Sequence, residues 1–259
     1  GSGFDGIDAS SANTTTLRSA GNLTLQGYSY AASGSGRGVD LNNDVIAASG
    51  TVSMTGQHNT GATYALSLSG STSITAGTGV TLESLNNNTG TIALLSSGGI
   101  NGGSGTVLMR AANYAFGGAD RTITTTGVLT IQPDADENSF ASSFDNQYLN
   151  PVSVTGLTLG KSSNASAITL SRAISLSGPV SIYGGSIDVN ANITANSGNI
   201  LLDADTGSTL NQSSTGILLD DAITIETVTS GNLTLIGRSG DTGSGFDGID
   251  ASSANTTTL

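Results

Sequence analysis

The acidic residues of one short stretch are the first candidates for chemistry. "TGSGFDGID", Thr242 to Asp250, matches the calcium nonapeptide G-G-x-G-x-D-x-U-x except at its first Gly. Glycines there permit tight turns, and carboxylates supply the hard oxygen ligands that calcium takes. Asp247 and Asp250, with their copies Asp5 and Asp8, are therefore the candidate calcium ligands. The motif works in tandem, each ion shared between adjacent turns, and here it has no neighbour. A Gly-rich turn with solvated carboxylates fits the same text, and both readings stay open. "DADTG" at Asp203 is only a fragment of a D-x-D-x-D-G loop.

Catalytic constellations are scarce. A hydrolase triad needs a base beside its nucleophile, and the chain has one His, His58 in "TGQHNTG", which reads as a solvated turn residue. Zinc sites need several His or Cys ligands, and there is no Cys. Asp220 and Asp221 are adjacent carboxylates, but neighbours on a strand point to opposite faces, so they do not form a glycosidase pair. Lys161 is the only Lys and the Arg residues are dispersed, which leaves no basic and acidic cleft of the polysaccharide-lyase kind. The expectation is a protein that is not an enzyme and takes no cofactor other than calcium.

A different candidate is aromatic. "PDADENSFASSFDNQYLNP", Pro133 to Pro151, spaces Phe140, Phe144 and Tyr148 four apart among Asp134, Asp136, Glu137 and Asp145. That spacing puts three rings on one face of a helical turn. It predicts a short helix or loop that protrudes and lays its rings against its own flank, or else offers them as a lateral contact to a sugar or a partner. "MRAANYAFGGADR", Met109 to Arg121, is a second irregular insertion, with two aromatics and three charges.

These candidates need a scaffold, and the rest of the chain is written in one grammar. Charged residues are only 10% of the 259, far below the ~25% of ordinary soluble domains, and Gly is abundant at 37. The net charge of -12 argues against nucleic acid and anionic membranes, both of which attract Lys and Arg. The 36% of hydrophobic residues fall in alternating pairs. Leu157/Leu159, Ile168/Leu170, Ile174/Leu176, Val180/Ile182, Ile187/Val189, Ile200/Leu202 and Ile217/Leu219 are examples. Alternation marks strands, and Gly, Asn or Ser ends each one after a few residues. Three such strands per turn predict an all-β, right-handed parallel β-helix, or β-solenoid, of roughly 20 residues per coil. Apolar side chains point into a narrow core, and Thr, Ser and Asp point out.

The chain also repeats itself. "GSGFDGIDASSANTTTL" occupies 1–17 and, letter for letter, 243–259, which sets a long period of 242 residues. That unit predicts roughly 12 coils, or roughly 55–60 Å. "AGNLTLQG" at Ala20 and "SGNLTLIG" at Ser230 lie 210 apart, a second repeat inside the first. The expectation is one continuous solenoid over 1–259, a segment of a tandem array.

"GPVSIYGGSIDVNANITANSGNILLDA" from Gly178 to Ala204, with "GNLTL" at Gly21 and Gly231 and "GTVSMTG" at Gly50, resembles filamentous-haemagglutinin-like exoproteins, the giant β-helix adhesins of bacteria. The resemblance implies secretion across a Gram-negative envelope to the cell surface. It also implies long structural filaments or stalks that act in attachment, cell–cell contact or extracellular matrix. Partners would be further copies of the chain, in tandem or end to end, with lateral filament neighbours or surface glycans; neither nucleic acid nor membrane insertion is expected. Two alternatives stay open: a calcium-dependent biofilm or matrix adhesin with ligand contacts on its loops, and a polysaccharide-binding or -degrading β-helix.

Overall fold

The structure is a computed structural model that describes residues 5–10, 14–30, 36–58, 64–85, 89–95, 98–118, 120–151, 153–204, 215–220, 222–240, 247–252 and 258. No helix occurs among them; the regular structure is short parallel strands. The chain forms two compact units, Gly1–Glu137 with Tyr148–Val154, and Asn138–Gln147 with Thr155–Leu259.

Unit 1 winds through three faces in turn. Face a stacks Ile7–Ala9, Val39–Asn42, Leu66–Ser69, Thr91–Leu94 and Asn113–Phe116. Face b stacks Thr16–Ser19, Val45–Ala48, Ser73–Ala76, Ile100–Asn101, Arg121–Thr124 and Leu149–Pro151. Face c stacks Leu23–Ser29, Val52–His58, Val80–Ser84, Val107–Arg110 and Val128–Gln132. Unit 2 repeats the plan. Face d holds Phe144–Asp145, Ala167–Leu170, Ser186–Val189, Ile217–Leu219 and Ile249–Asp250. Face e holds Ile174–Leu176, Ile193–Ser197 and Ile225–Ser230, and face f holds Gly156–Leu159, Val180–Tyr183, Ile200–Ala204 and Leu233–Gly237. Three strands per lap, each paired in parallel with its equivalent one lap away, is the β-solenoid that the alternating pairs predict.

Register follows from burial. Slipping a strand by one residue would turn its apolar set outward, so the inward column fixes the pairing. On face d the column reads Phe144, Ile168, Ile187, Ile217, and each is at most 3% exposed. On face c, Val52, Val80, Val107 and Leu129 are at most 1% exposed.

The lap length departs from the expectation. Twenty residues separate Val180 from its partner Ile200, but 33 separate Ile200 from Leu233, and 29 separate Leu23 from Val52. The strands are held in register by their ladders, whereas turns lie outside and vary freely in length. Among the described residues face c holds five strands and face f four, fewer than the twelve laps that a 20-residue coil predicts.

The segment Met109–Arg121 is not an insertion. Asn113–Phe116 pairs in register with Thr91–Leu94, and the flanking strands close the same lap. Its aromatics do not break the ladder because they take alternate positions on a strand.

Candidate functional site

Face a brings the candidate calcium ligands together with a residue the sequence reading missed. Asp8 lies directly opposite Asp40 on the next lap, 32 residues on. Asp5, Asp8 and Asp40 each place a carboxylate oxygen within 4.8 Å of the others, the only such trio of acidic, His or Cys side chains among the described residues. Arg37 enters the cluster twice: its backbone N–H donates to Asp5 Oδ1, and its guanidinium pairs with Asp40 Oδ2. The same guanidinium stands over the Tyr64 ring, 5.6 Å from its centroid. Asp40 is 3% exposed, and its Oδ1 is buried without a hydrogen-bond partner.

The electrostatics divide the trio. Burial pushes the Asp5 carboxyl up, opposed by the Arg37 N–H and reinforced by the charges of Asp40 and Asp8. Asp8 is held below its ordinary value because the Ser10 hydroxyl and N–H both donate to it. Three carboxylates against one guanidinium form a set of hard oxygens with negative charge left over, the donor chemistry of a calcium site, with Arg37 as the competing cation.

The second copy of the motif has other surroundings. Asp250 lies opposite Leu218, not a carboxylate, and it is held below its ordinary value by the Ser252 hydroxyl and by the Ser252 N–H, which donates to its Oδ1 at 2.8 Å. The Asp247 backbone carbonyl accepts from Gly216 N–H at 3.0 Å. The copies therefore share a sequence and differ in what the adjacent lap supplies.

The aromatic candidates are corrected. Phe140, Phe144 and Tyr148 do not share a helical turn. Phe144 is an inward residue of face d, and Phe140 stacks on it with ring centroids 5.5 Å apart. Both are 3% exposed and serve as core, so neither offers a lateral contact. Tyr148 belongs to unit 1, is half-buried, and accepts the Arg121 N–H on its carbonyl at 2.9 Å. His58 is also corrected: it ends strand Val52–His58 at 4% exposure and is not a solvated turn residue. Asp221 lies outside the described residues.

Sequence reasoning missed two further features. Arg121 is fully buried on face b, where Gly98 leaves it room; its guanidinium donates to the carbonyls of Leu68 at 3.2 Å, Thr72 at 3.3 Å and Gly98. Burial lowers its pKa to about 10. Tyr28, Ser29, Tyr30, Gln57 and His58 line a small half-open pocket at the ends of two face c strands, with Tyr30 80% exposed. Both needed the lap length to be found, since their parts lie a lap or more apart.

The fold thus defines a parallel β-solenoid with an acidic cluster on one face. Compared with family models, curated proteins and solved structures, the chain matches none.

Proposed function

We propose that this chain is a structural repeat segment of a secreted filament or stalk on the bacterial cell surface, of the adhesin type, acting as a rigid spacer in attachment, cell–cell contact or matrix. The observation that carries the reading is the in-register stacking of three strands per lap in a chain whose segment 1–17 recurs, letter for letter, 242 residues later. A ladder of this kind extends by adding laps, and a repeated unit adds them in fixed number. The role is mechanical: stacked laps set length and resist bending, because each backbone hydrogen bond lies along the stacking direction. The test is electron microscopy of chains carrying one to four copies. Extended particles that lengthen by about 43 Å per copy, nine laps at ~4.8 Å, support the reading. Globular particles, or a length that does not scale with copy number, contradict it.

A second reading is a calcium-dependent matrix adhesin, favoured by the unpartnered buried Asp40 Oδ1 beside Asp5 and Asp8. It requires the melting temperature to rise with calcium and fall with chelator, and Asp40→Asn to remove that response. A melting temperature indifferent to calcium discards it.

A further inference from the structure

We infer that, in a tandem array, Ile7–Ala9 and its twin Ile249–Asp250 are one strand with a neighbour on each side, so that the last lap of one copy stacks in register on the first lap of the next. The inference rests on the tandem-array reading above and supplies what that reading lacks, the identity and register of the joint.

The two copies of the segment show the two halves of the joint. Ile249 pairs with Ile217 on the preceding lap, while its twin Ile7 pairs with Val39 on the following lap. The spacing is 32 residues in both directions. Different atoms are used. Gly6 and Ile7 donate their N–H groups to the carbonyls of Arg37 and Gly38, whereas Asp247 and Gly248 accept on their carbonyls from Gly216 and Ile217. One strand can therefore make both sets of bonds at once. Face d of one copy then continues as face a of the next.

Face e continues as face b by the same logic. Thr258 bridges Thr224, and its twin Thr16 pairs with Val45.

Face f meets face c through residues outside the shared segment. The 210-residue offset between "GNLTL" at Gly231 and at Gly21 is 242 less 32, one lap of the joint. The two similar strands become direct neighbours, with Leu233 opposite Leu23 and Leu235 opposite Leu25. These four leucines are only half-buried, although their partners on the laps already stacked against them, Ile200, Leu202, Val52 and Met54, are fully buried. Asparagine side chains mark the same lap edge. Asn199 Oδ1 accepts from the Asn232 N–H at 2.9 Å, and Asn22 Oδ1 accepts from the Thr51 N–H at 3.0 Å. The joint adds the missing rung, Asn22 N–H donating to Asn232 Oδ1. Glycine agrees. A Cβ on Gly231, at φ +133°, would stand 2.0 Å from the Gly198 carbonyl oxygen, and one on Gly50 would stand 3.1 Å from that of Gly21. A Cβ on Gly21 meets nothing within 4 Å. In the array it faces the Gly231 carbonyl.

The absence of Cys makes the test clean. In a two-copy chain, Thr234→Cys in the first copy and Thr24→Cys in the second stand opposite across a parallel pair, about 4.8 Å apart and inside the ~4.4–6.8 Å range of disulfides. Moving the second cysteine to Gln26→Cys adds two residues and leaves that range. Oxidation followed on gels should close the first pair at least about 10-fold faster than the second. Gly21→Ala in the second copy should slow that closure, while the same change in the single chain leaves its melting temperature unchanged. Equal closure rates for the two pairs, or faster closure with Gln26→Cys, overturn the joint. So does a Gly21→Ala variant that closes as fast as its parent. Extended particles without closure retain the filament and discard the register; closure in globular particles retains the joint and discards the filament.

Discussion

Two segments look equally irregular in sequence and fold differently. Met109–Arg121 holds two aromatics and three charges, yet Asn113–Phe116 lies in register on face a. Pro133–Pro151 is bracketed by prolines and forms only the short strands Phe144–Asp145 and Leu149–Pro151, with turns between. Ladder continuity depends on backbone N–H groups and on an alternating inward column, not on how polar the outward residues are. The first segment keeps both. The second spends its length on a detour and rejoins the core through Phe144 on face d and Leu149 on face b, each at an inward column position. A protruding loop could be deleted without harm to the fold. This one cannot, because both strands pair with neighbours.

The comparison can be broken where the detour touches the core. Phe144→Ala removes an inward ring and the stacking partner of Phe140, and should cost about 3–5 kcal/mol in chemical denaturation. A cost below about 1 kcal/mol would mean the detour is not integral. In the regular segment, Arg121→Met keeps much of the volume and removes three donations to buried carbonyls; it should cost about 2–3 kcal/mol. Tyr114→Phe removes the hydroxyl that donates to the Gln132 carbonyl at 3.0 Å, and should cost about 1 kcal/mol near neutrality. Burial pushes the Tyr114 phenol well above 10.0, so its stabilisation is complete below pH 10 and drains away as pH rises beyond it. Melts across pH 9 to 12 should therefore show the variant gaining on the parent.

The smallest effect sharpens the contrast. Asp134, 1% exposed at the start of the detour, has its carboxyl raised by burial, with the charges of Glu83, Asp136 and Glu137 adding to the rise and the Ala135 N–H opposing it. A raised acid stabilises the fold below its unfolded value of 3.8 and loses that contribution as pH climbs through the folded value. Asp134→Asn should remove this loss. Its melting temperature should gain on the parent's between pH 3.5 and 7, and a constant difference would contradict the assignment.

The inward columns were legible in the sequence because the core accepts one kind of residue at alternate positions. Ile168, Leu170, Ile187, Val189, Ile217 and Leu219 point inward as their spacing predicts. Lap length was not legible. It depends on turns that carry no period, and without it no residue can be assigned a neighbour on the next lap. Asp40 was missed for that reason: only a 32-residue lap sets it against Asp8. The rings at Phe140 and Phe144 were misplaced because a spacing of four also fits a strand approached through a turn. Arg121 gives no sign in its own segment that Gly98 on the preceding lap leaves room for its guanidinium.

The central claim is that equivalent strands stack on one another at a fixed register, lap upon lap. X-ray fibre diffraction from aligned multi-copy chains tests it directly. The account predicts a meridional reflection near 4.8 Å, the spacing of strands running across the long axis. A pattern with that spacing on the equator, or with no oriented reflection there, would contradict it.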